Sequence, residues 1–225
     1  MKIKFFMLPV AIAVFMVMSG FSTGVDKDPS QNILEESKAK LRNLKDFSAD
    51  FLYTIQNPNL KPVTQSGNIL YKKGKYVIKL EDQELYCNKV TLWIHILAEN
   101  PVHAELQKMN YDEDEGMNVE SIFNIYESST KSQYEGSETV HGVETEKIFL
   151  VMQDPELDYN RAYVWINKRT KILEKVLLID RRQTQTIYEF SNIKTDTGVS
   201  DSAFNFNEKG FKGEIYDEKK KKKHN

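Results

Sequence analysis

The sequence predicts a mainly β protein: a curled, mostly antiparallel sheet with two helices over its hollow. Three observations carry this. Apolar residues alternate with period two through about six segments before residue 110 and four or five after residue 130. Short turn-forming stretches separate them, so that neighbours fold back as hairpins. Only two stretches show helical spacing, too few to cover a flat sheet of that width. So many strands in one sheet must curl or close. The pattern leaves both a packed core and an apolar cavity open.

The first fold element is a helix beginning at Asp28-Pro29-Ser30, where capping residues and a proline suit a helix start. Ile33, Leu34, Leu41 and Leu44 recur near helical spacing, and the helix is expected to end near Lys45-Asp46. The period then becomes two. Phe51, Tyr53 and Ile55 share one face, and Asn57-Pro58-Asn59 breaks the strand. Ile69 and Tyr71 share a face of the next strand, Asn68 to Lys72. Lys73-Gly74-Lys75 turns the chain into a strand with Tyr76, Ile78 and Leu80 on one face. Glu84 to Cys87 and Thr91 to Leu97 pair around Asn88-Lys89, and Val102 to Met109 follows. After the acidic stretch Asp112 to Glu115, Asn118 to Glu127 reads as a second helix with Ile122, Phe123 and Tyr126 on one side. Strands resume at Lys131 to Tyr134, Glu144 to Met152, Arg161 to Asn167, Ile172 to Asp180 and Thr184 to Phe190. The last ordered piece is expected near Phe204-Asn205-Phe206.

Ahead of the fold lies an address. Met1-Lys2-Ile3-Lys4 is followed by 14 uncharged residues, Phe5 to Met18, and a small-residue zone at Ser19 to Gly24. At a rise of about 1.5 Å per residue the run is too short for a hydrocarbon core of roughly 30 Å. Residues 1–24 therefore read as a cleaved export signal, residues 25–217 as a single domain, and 218–225 as a disordered Lys-rich tail. The mature chain is expected to be soluble and exported. With 40% hydrophobic and 28% charged residues in 225, the composition is that of a globular chain. Net charge is −2; without the two signal lysines and five tail lysines the body is near −9, which disfavours nucleic acid. The single cysteine, Cys87, excludes an internal disulfide and reads as a small buried hydrophobe.

The chain carries few signatures of chemistry. His95, His103, His141 and His224 form no HExxH or HxH pair, although His95 and His103 could meet across a hairpin. G-x-S-x-G, Walker A and G-x-G-x-x-G motifs are absent. The expectation is therefore no enzyme, no metal and no cofactor. What remains is an aromatic excess, twelve Phe, eleven Tyr and two Trp, which in a curled sheet forms a core or lines a hollow for an apolar ligand.

Several stretches, in order, resemble one family. They are Leu44-Lys45-Asp46-Phe47-Ser48-Ala49-Asp50-Phe51; Gln65-Ser66-Gly67-Asn68-Ile69-Leu70-Tyr71-Lys72-Lys73; Thr91-Leu92-Trp93; Val164-Trp165-Ile166-Asn167-Lys168-Arg169-Thr170; and Ala203-Phe204-Asn205-Phe206. Together they resemble LolA-type periplasmic outer-membrane lipoprotein carriers, in the form seen in Bacteroidetes-like bacteria, over residues 31–217. The resemblance implies an open antiparallel half-barrel with a helical lid over a hydrophobic cavity. It implies acylated lipoproteins as cargo, taken by a monomer from an inner-membrane ABC transporter and passed to an outer-membrane acceptor. Cavity candidates are Phe51, Tyr53, Ile69, Tyr71, Tyr76, Ile78 and Leu80 from the sheet, and Ile122, Phe123 and Tyr126 from the lid. Trp93 and Ile94 join them, with their facing open because both faces of that strand are apolar. Where many members carry a lid-latching Arg-Pro, this chain has Lys72 and Lys73, and lysine lacks the bidentate guanidinium fork. The D-G-K turn is replaced by Asn88-Lys89-Val90, without the glycine. A lipid-sensing or general lipid-binding module of the same fold, and an exported hydrolase of glycan or lipid, are the competing expectations.

Overall fold

The computed structural model describes residues 28–111, 125, 129–153 and 157–218. The expected signal, the second helix with Ile122, Phe123 and Tyr126, and the lysine run fall outside the described residues. The described chain folds as one helix and a twelve-stranded sheet. Helix α1 spans Ser30–Asn43, and Asp28 accepts the Ser30 backbone N–H at its start (2.8 Å). Leu34 is its buried apolar residue, with Ile33 and Leu41 packed beside it.

The strands form two meanders. The first is β1 (Phe47–Gln56), β2 (Val63–Lys72), β3 (Lys75–Leu80), β4 (Gln83–Cys87), β5 (Thr91–Ile96) and β6 (Glu105–Asn110). The second is β7 (Ser129–Val140), β8 (Val143–Met152), β9 (Tyr159–Asn167), β10 (Leu173–Asp180) and β11 (Gln185–Thr195). A last strand, β12 (Glu214–Asp217), lies parallel to β6. Antiparallel pairing of β1 with β11 joins the meanders, giving the order β12-β6-β5-β4-β3-β2-β1-β11-β10-β9-β8-β7.

The sheet is curled and unclosed. Ile69, Tyr76 and Ile78 of the first meander share one buried cluster with Ile148, Leu150 and Val164 of the second, which a flat sheet of this width could not bring about. Two-residue turns with positive φ at both positions close the β2–β3 hairpin (Lys73 +47°, Gly74 +81°) and the β7–β8 hairpin (His141 +47°, Gly142 +80°). At Asn88-Lys89-Val90, Lys89 itself takes the left-handed conformation (φ +70°) that a glycine would fill. The Asn88 side chain supports it by accepting the N–H groups of Val90 and Thr91, both at 2.9 Å.

Several boundaries differ from expectation: β2 starts at Val63 and not Asn68, β7 runs from Ser129 to Val140 and not Lys131 to Tyr134, and β11 continues to Thr195. Three further differences change the packing. The helix stops at Asn43 and β1 starts at Phe47, so Phe47 and Ala49 join the buried face of that strand. Pro101 to His103 forms a 3₁₀ turn capped by the Asn100 side chain, so β6 begins only at Glu105. Order continues past Phe206. The segment after β11 crosses the outer face of β3–β6 as a strap and ends in β12. It buries Phe204 fully and sets Phe206 against Tyr86 (5.4 Å) and His95 (5.2 Å). The sheet here is covered on both faces, which is why β5 reads apolar on both.

Candidate functional site

The inner face divides across the strands into a packed half, which includes Ile148, Leu150 and Val164 of the second meander, and an open half at the end that carries the β10–β11 turn. In the packed half, Ile69, Tyr76 and Ile78 are buried, and Phe51, Tyr71, Leu80 and Ile94 pack against the same cluster. Phe51 lies over Gly67 on β2, where an added Cβ would sit 2.8 Å from the Phe51 ring tip and 2.5 Å from the Lys79 carbonyl oxygen. Only a glycine admits that ring so close to the backbone.

The open half holds a pocket of about 410 Å³ between β1 and the second meander. That volume is within the range of small-molecule pockets, about 300–1,000 Å³. Ile125, Leu157, Val176 and Leu178 supply apolar surface, and Tyr53, Tyr159 and Tyr188 supply rings. Register explains the convergence. Tyr53 on β1 faces Tyr188 on β11, which faces Val176 on β10. The Tyr53 and Tyr188 rings lie 5.0 Å apart at 40°. Burial, followed by the neighbouring Tyr53 and Tyr159, pushes the Tyr188 phenol up to about 12, so it stays neutral. Burial also raises Tyr53. Neutral phenols and aliphatic side chains suit an uncharged, elongated ligand.

The mouth is polar, with Asp158, Asp180, Thr184 and Thr186. Burial works against the Asp180 charge, but the Thr184 amide and side chain and the Arg182 amide outweigh it and hold the carboxyl below its usual value. Its Oδ1 accepts the N–H groups of Arg182 (2.8 Å) and Thr184 (2.7 Å), which shapes the β10–β11 turn.

Of the sequence candidates, Tyr53 alone lines this pocket among the described residues. Ile94 faces the inner cluster, whereas Trp93 lies on the outer face and donates its indole N–H to Glu208 of the strap (2.9 Å). Trp93 therefore leaves the candidate lining. Lys72 does not latch a helix among the described residues. Its ammonium donates to the Val199 carbonyl (2.6 Å) and pairs with Asp201 (2.8 Å), and Lys75 takes the other oxygen of Asp201 (2.8 Å). Lys73 serves as a turn residue. His95 and His103 do not meet: His95 faces Leu106 across the ladder and lies 3.4 Å from Glu84, and His103 is in the 3₁₀ turn. Cys87 is fully buried and burial raises its thiol. The residues missed from sequence, Tyr159, Val176, Leu178 and Tyr188, carried the same alternation signal as those named. Nothing local showed that their end of the strands would border a space.

Fold and pocket define a class: open, curled half-barrels with an apolar hollow on the inner face. A structure of LprF from Mycobacterium bovis shares the fold at a TM-score of 0.51, with 15% identity, covering 77% of this chain and 97% of that one. So does an uncharacterized conserved protein from Thermus thermophilus, at a TM-score of 0.53 and 9% identity, covering 82% and 98%. A LolA superfamily protein from Nitrosomonas europaea is also similar, with a TM-score of 0.39 and 11% identity over 79% of this chain and 97% of that one. At these identities the likeness to the LprF and Thermus thermophilus structures is one of fold. No protein-family model matches the chain, and no curated protein matches it.

Proposed function

We propose that this chain is a periplasmic carrier that holds the acyl chains of lipoproteins and moves them from an inner-membrane ABC transporter towards an outer-membrane acceptor. The observation that carries the reading is the half-open pocket, with aliphatic and neutral phenolic walls and a polar mouth. Each acyl methylene taken from water contributes about 0.8 kcal/mol, so even a partly filled pocket binds lipid. The polar mouth suits the end of the ligand that stays wet. The motifs resembling LolA-type carriers support the same cargo. The exported, monomeric state and the cleaved signal belong to this reading. Binding, and no catalysis, is the role assigned to the named residues.

The test is lipoprotein release from spheroplasts. Mature protein is added and a radiolabelled lipoprotein is followed into the soluble fraction. Release in a 1:1 complex supports the carrier. Fatty-acid probe binding without release reassigns the chain to a lipid-sensing or general lipid-binding module. Absence of both removes the lipid reading altogether.

A further inference from the structure

Beside the pocket mouth the fold exposes apolar and basic residues together. The β1–β2 loop is a formed turn: Asn57 accepts the Asn59 N–H on its side chain (3.1 Å) and the Leu60 N–H on its carbonyl (3.2 Å). This presents Leu60 outward at 71% exposure, followed by exposed Lys61 and by Val63 at 64%. The β10–β11 turn presents exposed Arg181 and Arg182. The two turns are neighbours, because Ile55 pairs with Val63 on one side of β1 and Gln56 with Gln185 on the other. The Asn57 amide donates to Thr184, a residue of the pocket mouth (3.5 Å). One rim thus carries two aliphatic side chains and three cations immediately beside the opening. The acids nearby are Asp158 and Asp180 at the mouth, with Asp180 committed to turn amides, and exposed Glu81 and Asp82 in the β3–β4 turn, where Asp82 accepts the Gln65 side-chain amide (3.3 Å).

Leucine and valine at a loop tip, flanked by cations that reach headgroup phosphates, match the surface of an anionic bilayer. Exposed cations also stand at the opposite end of the strands, at Lys73, Lys89 and Arg169. What sets this rim apart is the pair of exposed aliphatic side chains, Leu60 and Val63, beside the pocket mouth. We propose that the rim formed by the β1–β2 and β10–β11 turns docks on an anionic lipid surface and sets the pocket mouth against the bilayer. The proposal rests on the lipid-binding reading of the pocket.

The test places a fluorescent reporter on the rim. Leu60→Trp is compared with Val90→Trp, which sits on an exposed loop at the opposite end of the strands (67% exposed). Vesicles of phosphatidylethanolamine and phosphatidylglycerol with a doxyl-labelled lipid are added to each variant as the mature chain, with its lysine tail retained. The rim reporter shifts to shorter wavelength and is quenched, and the Val90→Trp reporter is not. The triple variant Lys61→Glu, Arg181→Glu, Arg182→Glu binds the same vesicles about tenfold or more weakly, with fatty-acid probe binding retained. Equal responses at 60 and 90, as attachment through the Lys219–Lys223 tail would produce, overturn the proposal. So does equal binding to purely zwitterionic vesicles. Probe binding without vesicle docking removes the rim and leaves the pocket. Docking without probe binding removes the lipid-carrier reading instead.

Discussion

The Asp46 carboxylate grips Thr197 twice, accepting its backbone N–H and its hydroxyl, both at 2.7 Å. The same carboxylate accepts the N–H groups of Gly198 (2.8 Å) and Val199 (3.2 Å). The chain returns the contact, since Asp196 N–H donates to the Asp46 carbonyl (3.0 Å) and Asp196 accepts the Lys45 N–H (2.8 Å). This knot ties the helix-to-β1 corner to the start of the strap, 151 residues away. Lys72 and Lys75 hold the next turn of the strap through Asp201.

The knot predicts a pH window. The Thr197 hydroxyl first, then the three loop amides, lower Asp46 from 3.8 to about 2. A depressed carboxylate contributes stability above its unfolded value and loses it as pH falls through the folded one. Asp46→Asn therefore melts below the wild type at neutral pH, and the difference closes between about pH 4 and pH 2. Thermal melts across that range check it. A difference that stays constant with pH would show that the charge is not what the loop binds.

Gly67 predicts an asymmetric result. A Cβ there meets the Lys79 carbonyl oxygen at 2.5 Å, Leu80 at 2.8 Å and Phe51 at 2.8 Å. Backbone cannot swing aside as a side chain can. Gly67→Ala is expected to cost about 1–3 kcal/mol, although alanine is ordinarily harmless in a strand. Adding Phe51→Leu to the same chain should recover part of that cost, read from urea midpoints.

Pocket and core separate by mutation. Thr186 lines the pocket and is half-buried. Thr186→Phe fills the opening and should weaken fatty-acid probe binding about tenfold, or roughly 1.4 kcal/mol, with little change in stability. Ile78 is 5% exposed in the packed half. Ile78→Ala should cost about 2–5 kcal/mol of stability and leave probe affinity near wild type. The reverse pairing of effects would move the binding site to the first meander.

Glu208 predicts the behaviour of the strap. One oxygen, Oε1, accepts both the Trp93 indole N–H (2.9 Å) and the Lys108 ammonium (2.7 Å). Glu208→Ala removes both bonds, each worth about 0.5–3 kcal/mol net. Amide exchange of Ile215 to Asp217 in β12 should quicken, with no change at the pocket. Exchange unchanged from wild type would mean that Phe204, Phe206 and Phe211 hold the strap without it.

Local features were legible in the chain before any folding was known. Alternation at Tyr76, Ile78 and Leu80 announced a strand and its inward face, because side chains change sides at every residue. Lys73-Gly74 announced its hairpin, because the turn needs positive φ at both central positions. Even the LolA-like motifs are short stretches of this kind, and the half-barrel they implied is the observed fold. Alternation could not say which inward residues are packed and which line a space. Tyr76 and Tyr188 look alike in sequence, yet one is 2% exposed in the core and the other walls a pocket. That difference comes from the curl of the sheet and from the long-range pairing of Tyr53 with Tyr188. Likewise, both faces of Thr91 to Ile96 are apolar, and only the returning strap sends Trp93 outward to Glu208. Long-range pairing decides such things because the energy of a buried residue belongs to its neighbours in space, and the neighbours of these residues are remote in the chain.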